Sequence, residues 1–576
     1  MEARAATWAG PLLVQSALLT LLTTWPMARS PLTQAIGSPE SDTVKHLWTL
    51  WWMRAELLGG EPGQRTTLIG YPDGLPLFPI EPLHGLLSLL LPLPTVLLSN
   101  VLAGLDTLLT GLAAGWLATV LVPPPPAASV TPALRWPRLS PTLLAALGAG
   151  ALLQTSAWAA FTLHVGVGEL RQLWWLPLSL GALVRLQQAE APAVVAKRAI
   201  LAGLCLAGAA LSCFYYGLLL GVAAVVHSAL TLSVRPRRWA GLTLCAALAL
   251  SIVVPVAGSF NQTYGEQGAA PPPDVGADGA LRPGLTRDLL HLDDLWTPRR
   301  AERPTADRQR LAYEGGRYIG LLGLGLAAAG LLARPRAALP FAAMGAAGLL
   351  LALGPVLIIG DGAVQGASGP LRLPGGLLLD ALARHASPMH FPARFAALGA
   401  LAAAVLGGLA ISRWRPLALV LPLAVGNVLY EDLTPWPRAR TALPDLGALR
   451  ALSVEGPMAD LSLAATANIE HRGLLIAAQI ATDRPTQAVP LERLDLRTAG
   501  GPVGGLAIVE AMRRGSGWPT SLDVDAAQLW ASGFRVALLT GPDSQRGSGP
   551  RRLLEAQWGA PVEAKGAALW PIPAPR

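Results

Sequence analysis

A chain of 576 residues that is 52% hydrophobic and only 14% charged, with mean hydropathy +0.44, is too apolar for a soluble globular protein and reads as a polytopic membrane protein. Its net charge of +8 does not point to nucleic acid, because the basic residues sit mostly between apolar segments, where they set topology. Cys205, Cys213 and Cys245 all lie in or beside apolar segments, which excludes a disulfide framework or a thiolate metal site.

Against the roughly 20 residues that a span requires, about eleven apolar segments are expected. They fall near 8–28, 99–121, 139–160, 171–187, 199–213, 216–233, 239–258, 317–333, 338–360, 394–412 and 415–430. The first reads as an uncleaved span, since Met27-Ala28-Arg29-Ser30 is a poor cleavage site. The two segments flanking Phe214-Tyr215-Tyr216-Gly217 are either two short spans or one long bent one. Trp8, Trp25, Trp174, Trp175, Trp239 and Trp414 lie near expected helix ends, as an interfacial belt requires.

After the first span, residues 38–58 carry helix-start chemistry: Ser38 to cap, Pro39 for the first turn, and Glu40 and Asp42 at the positive end. At 100° per residue, Val44, Leu47, Trp48, Trp51, Ala55 and Leu58 share one face, while Asp42, His46, Thr49 and Glu56 share the other. Such a helix suits a membrane surface, with its polar side toward a reaction cavity. Further along the same stretch come Asp73, Glu81 and His84, then an apolar segment at 83–98 broken by Pro92 and Pro94, expected on the surface or re-entrant. Asp106 lies within the next span, where a carboxylate is costly and serves either a cavity or a structural hydrogen bond.

Placing the N-terminus in the cytoplasm makes every short inner loop basic: Arg4; Arg135 and Arg138; Arg185, Lys197 and Arg198; Arg235, Arg237 and Arg238; Arg334 and Arg336; Arg413 and Arg415. Residues 29–98, the loop around His164 and Glu169, 259–316 and 361–393 then face outward. The last of these holds Arg372 and His390 and leads into Arg394. Asp293 and Asp294 fall in a polar loop and read as solvated charge.

Composition changes after Tyr430. Residues 1–430 are expected to form the transmembrane domain, and 431–576 a small extracytoplasmic α/β domain. In the latter, Leu522–Trp530 and Ile508–Arg514 read as helices and Phe534–Thr540 as a buried strand. Gly500–Gly505 lacks nucleotide-loop spacing and reads as a flexible turn.

The order SDTVKHLWTLWW, YPDG, SNVLAGLDTLLTG, GELRQLWWLPLSLGALVR, CFYYGLLLG and SPMHFPARF resembles the large bacterial group of GT-C-like multipass membrane glycosyltransferases. This resemblance implies a GT-C fold in a bacterial cytoplasmic membrane, with the C-terminal domain periplasmic or extracellular. It also implies transfer of a sugar from a polyprenyl-phosphate donor to a lipid, glycan or protein acceptor on the outer face. It assigns the acid of the first external loop, base or acceptor-positioner, to Asp42, and its accompanying imidazole to His46. The chain departs from the group's pattern in opening this segment with Ser41-Asp42 rather than Gly-Asp, and in the spacing of His164 and Glu169.

Such transfer needs a base, cations for the departing phosphate and an apolar groove. Arg394 is a candidate clamp for phosphate oxygens, or else a snorkelling anchor for its span. Arg372 and Lys45 are candidates of the same kind. Asp73, Glu81, His84, His164, Glu169 and His390 are candidates to line the cavity. No HExxH or comparable spacing marks a divalent-metal site, and no cofactor is expected. Two other readings remain open: a transporter or flippase of envelope lipid or polysaccharide, against which the absence of repeats and mid-membrane charge clusters weighs, and a non-catalytic envelope assembly partner.

Overall fold

The computed structural model describes residues 2–25, 27–38, 42–59, 65–66, 75–76, 81–122, 140–231, 236–265, 289–296, 316–359, 362–366, 369–373, 375–376, 392–432, 440–442, 458–461, 486–488, 495–498, 501–504, 523–524, 526–540, 544–564 and 567–574. The chain divides into two compact units, one of Met1–Pro31, Ile80–Leu91 and Leu98–Ala439, the other of Leu32–Pro79, Pro92–Leu97 and Arg440–Arg576.

The chain opens with helix α1 (Glu2–Thr23), α2 (Thr43–Gly59) and the short α3 (Pro82–Leu90). The first unit continues through α4 (Thr95–Leu121), α5 (Pro141–Gln154), α6 (Ala157–Val165), α7 (Gly168–Arg171), α8 (Trp175–Gln187), α9 (Pro192–Ser212), α10 (Phe214–Thr231) and α11 (Pro236–Gly265). Helices Leu321–Ala333, Pro335–Ala352 and Ala396–Arg413 follow. Among the described residues, seven helical stretches are long and apolar enough to cross a membrane: Thr95–Leu121, Pro141–Val165, Pro192–Ser212, Phe214–Thr231, Pro236–Ser259, Pro335–Ala352 and Pro392–Arg413. Shorter apolar helices cover Trp8–Thr23, Leu321–Ala333 and Arg415–Leu429.

The chain chemistry sets several boundaries. Ser140 Oγ accepts from Leu143 N at 3.1 Å and Pro141 follows it, so α5 begins there. Ser156 caps α6 in the same way, and Gly166 ends α6 in the left-handed conformation (φ 62°). The segment expected at 171–187 divides into α7 and the 13-residue α8, about 20 Å long at the helical rise and so short of a ~30 Å apolar layer. The question at 199–233 is answered by two helices, broken at Cys213 in extended conformation.

Packing centres on Ala396–Arg413, whose Ala- and Gly-rich sequence is buried along its length. Where lipid tails are as apolar as leucine, helices associate by close backbone approach, which small residues permit. A Cβ added at Gly330 would stand 1.9 Å from the Leu406 carbonyl oxygen, and one at Gly408 would stand 2.7 Å from that of Ala145. By contrast, α11 leaves Leu250 and Val254 exposed, as a lipid-facing helix should. Trp239, Trp414 and Trp25 are likewise exposed, whereas Trp174 and Trp175 are half-buried and stack on each other at 4.1 Å, so these two do not belong to a lipid belt.

In the second unit, α2 starts at Thr43 rather than Ser38, and residues 39–41 lie outside the described ones. Its apolar side is divided: Val44, Leu47 and Trp48 are buried, Trp51 is half-buried, and Ala55 and Leu58 are exposed. Trp48 and Trp52 are buried and stacked (5.7 Å between centroids, planes 3° apart), and Trp52 Nε1 donates to Glu56 Oε1 at 3.0 Å. A ring stack with a satisfied N–H is a stable interior arrangement for indole. Leu47 packs with Ala35 and Val96, and Gln34–Ile36 pairs antiparallel with Arg440–Ala442.

The same unit holds a five-stranded sheet in the order Thr486–Ala488, Met458–Asp460, Val536–Thr540, Ala567–Pro571, Val562–Ala564. The first three strands are mutually parallel, and Ala567–Pro571 runs antiparallel to its neighbours on both sides. Ala526–Ala531 and Gly549–Trp558 bring Leu529 and Leu554 onto its core of Phe534, Leu539 and Trp570. The α/β layering and the buried strand after Phe534 match expectation. Gly501–Gly504 is not a turn but a strand paired with Asp495–Thr498, and the helix expected at Ile508–Arg514 lies outside the described residues.

Substituting Gly330 by Val should destabilise the bundle by about 1–3 kcal/mol through overpacking against Leu406. Gly426→Ala, at a helical position with open space around it, should leave stability unchanged or slightly raised. Thermal unfolding of the two variants in detergent reads the contrast.

Candidate functional site

Within the first unit, three charged side chains converge beside the middle of α4. Glu81 precedes α3, where Pro82 suits the first helical position. His84 follows one turn later, so its ring returns to the Glu81 carboxylate: Nδ1 to Oε2 is 2.7 Å. On the ring's other side, Nε2 lies 3.2 Å from Asp106 Oδ2. All three residues are buried, at 2–3% exposure. Trp174 Nε1 donates to Asp106 Oδ1 at 3.0 Å, and Gln172 Nε2 lies 3.5 Å from His84 Nδ1. Gly168 seats the Glu81 carboxylate, since a Cβ there would stand 2.0 Å from both of its oxygens.

This arrangement dictates the protonation state. A neutral imidazole offers one N–H and one lone pair, so one carboxylate would face a lone pair; the imidazolium donates to both. Burial works against the charged ring, but Asp106 by charge and hydrogen bond, and then Glu81, outweigh it and raise the His84 pKa to about 9.

A second group surrounds the joint between α9 and α10. The Arg394 guanidinium, buried at the start of its helix, stacks 4.4 Å over the Tyr215 ring. Tyr216 donates its hydroxyl to the Leu170 carbonyl and accepts from Trp158 Nε1 at 3.3 Å. The Cys213 thiol feels both Glu169 and Arg394 electrostatically. Glu169 lies in α7, and His164 lies in the last turn of α6, two residues before its capping glycine; both are half-buried.

In the second unit, Lys45 Nζ donates to Asp42 Oδ2 at 2.7 Å on the partly exposed first turn of α2, while His46 is buried. Lys45 is thus committed to Asp42, an exposed pair worth about 0–1 kcal/mol. Arg372 is exposed, in an isolated bridge to Val356. Asp73 and His390 lie outside the described residues. Asp294 is not solvated: it is buried, ion-paired to Arg317 at 3.2 Å, and accepts from His291 N at 3.0 Å. His291, Asp293 and Asp294 bring potential ligand atoms within 4.8 Å of one another, and of the two carboxylates Asp294 is ion-paired to the Arg317 guanidinium.

Sequence reasoning paired Glu81 and His84 only as members of one loop, and it left out Gln172, Trp174 and Tyr215. The available signals were a carboxylate amid apolar residues (Asp106) and a polar Arg171-Gln172 step before two tryptophans.

No family model matches the chain, and no curated protein matches it. Among solved structures it is similar to the arabinofuranosyltransferase AftD from Mycobacteria, with a TM-score of 0.49 and 14% identity over 99% of this chain and 40% of that one. It is similar to ArnT from Cupriavidus metallidurans bound to undecaprenyl phosphate, with a TM-score of 0.49 and 13% identity over 99% of each chain. It is also similar to the oligosaccharyltransferase of Archaeoglobus fulgidus, with a TM-score of 0.48 and 12% identity over 92% of this chain and 69% of that one. These three are GT-C-fold membrane glycosyltransferases, and the chain spans 40% of the length of AftD. At 12–14% identity no residue role is carried across; the site rests on this chain's own geometry.

The His84 value lies above the 6.5 of a free imidazole. Its contribution, on the order of 3 kcal/mol, is therefore whole below pH 6.5 and lost as pH rises through about 9. Thermal unfolding between pH 6 and 10 should show this alkaline loss. His84→Gln should be less stable at pH 7 and lack the inflection.

Proposed function

We propose that this chain is a membrane glycosyltransferase that moves a sugar from a polyprenyl-phosphate-linked donor to an envelope acceptor on the outer face of a bacterial cytoplasmic membrane. The observation that carries the reading is the buried Glu81–His84–Asp106 run. It ties residues 81–84, at the close of the stretch read as external, to the Asp106 carboxylate within α4. Fixed groups at that place suit a transferase, in which misplacement by an ångström is costly in rate.

His84 is too buried to meet a substrate and acts as a positioning residue. Asp42, partly exposed at the start of α2, is the base that takes the proton of the acceptor hydroxyl. The acceptor oxygen then attacks the sugar's anomeric carbon, and the bond to the polyprenyl phosphate breaks with the electron pair leaving on phosphate. Arg394 holds those phosphate oxygens. Its stack on Tyr215 fixes the guanidinium plane, and the fork of N–H donors in that plane suits a pair of anionic oxygens. The basic inner loops support a cytoplasmic N-terminus with Asp42 outside. In this reading residues 1–430 are the membrane domain and 431–576 an extracytoplasmic α/β domain.

The test is transfer from labelled polyprenyl-phosphate sugars in reconstituted vesicles. Asp42→Asn should lower turnover by about 10²–10⁴-fold, the range for losing a general base, while Arg394→Gln should chiefly weaken donor binding. Asp42→Asn with wild-type turnover would remove this residue from the mechanism.

A further inference from the structure

Helices Leu321–Ala333 and Pro335–Ala352 form a hairpin joined at Arg334, and Ala396–Arg413 packs against both arms. Against the first arm the contact is Gly330 on Leu406, as described above. Against the second, a Cβ added at Gly345 would stand 2.5 Å from that of Ala402, and one at Gly348 would stand 2.6 Å from that of Leu398. Steps forward along one helix are thus steps back along the other, an antiparallel register. Carried back to the start of Pro335–Ala352, that register sets Arg334 level with Arg413. Arg336 and Arg415 follow two residues beyond each.

The sequence has no acid over 315–360 or 381–430, so neither helix end carries a carboxylate of its own. Arg336, Arg413 and Arg415 are exposed. Arg334 is half-buried, and its Nε is shielded from solvent with no acceptor among the described residues. Burial, and then the like charge of Arg413, lowers the Arg334 pKa. An arginine that only anchors its span carries its head out to water, which Arg334 does not.

Two guanidiniums held level suit one group with two anionic oxygens, each fork taking one. The neighbouring surface says what carries that group. Trp414, between Arg413 and Arg415, is exposed, as are Leu332, Leu339 and Leu419 on either side of the arginines. An exposed indole beside leucines belongs to the headgroup boundary of a bilayer, where a phosphodiester stands over acyl chains. Free phosphate would use the arginines and leave this apolar surface bare. We propose that Arg334 and Arg413, flanked by Arg336 and Arg415, bind the phosphate of an anionic phospholipid. Arg394 stands 19 positions before Arg413, ~28 Å away at the helical rise. The site is therefore separate from the proposed donor clamp and does not rest on the transferase reading.

The test is native mass spectrometry of the full chain in detergent, titrated with phosphatidylglycerol or phosphatidylcholine. The wild type should take up phosphatidylglycerol in preference. Arg334→Gln and Arg413→Gln should each weaken that binding about five-fold. Arg237→Gln, at an exposed arginine in the first turn of α11, should leave it unchanged. Equal uptake of the two lipids, or equal phosphatidylglycerol binding in the wild type and all three variants, would overturn the proposal. Displacement of the lipid by inorganic phosphate would also overturn it, making the site one for the free anion. Where Arg334→Gln fails to fold, Arg336→Gln and Arg415→Gln decide, since both residues are exposed: weakened binding supports the site, and unchanged binding removes it.

Discussion

An imidazolium held between two carboxylates inside an apolar helix bundle is the constraint on which the rest of the site depends. Each of these groups is expensive to bury alone, and none can be removed without leaving its partners uncompensated. Their positions are therefore tied: Glu81 ahead of α3, His84 one turn into it, Asp106 within α4. This tie pins a short amphipathic helix to a long apolar one, in a place where the hydrophobic effect gives helices little reason to associate. Gly168 and Trp174 complete the seat, one by lacking a side chain and the other by donating to Asp106.

The bundle around this centre is assembled by different means. Ala396–Arg413 is buried along its length and accepts neighbours through backbone contact at Gly330 and Gly408. Apolar residues at the periphery, as on α11, remain exposed. Specific polar pairing and close small-residue packing divide the work. The first sets the geometry of the candidate site, and the second holds the spans together. The Arg394–Tyr215 stack is carried on the short helical turn Pro392–Phe395 that leads into Ala396–Arg413.

The local chemistry of several elements was legible directly. Ser140-Pro141 and Ser156 start helices as their side chains predict. The strand after Phe534 marks an α/β region. Other readings failed because one-dimensional periodicity does not say what covers a face. The tryptophans of α2 form an apolar stripe whether they meet lipid or protein, and only the packed chain shows Trp48 stacked on Trp52. Asp294 looked solvated because its partner, Arg317, is far along the chain.

The amino-acid order by itself determined the membrane-spanning helical character, the position of most apolar segments and the presence of acids and imidazoles between the first two of them. These follow from composition and short-range pattern, which act over one or two helical turns. Only the tertiary structure decided that Glu81 and His84 meet Asp106, that Trp174 serves this acid rather than a lipid interface, and that Gln34–Ile36 pairs with Arg440–Ala442. Contacts of that kind join residues tens to hundreds of positions apart. They are fixed by how burial, charge neutralisation and backbone hydrogen bonding are satisfied together, and no local pattern encodes that.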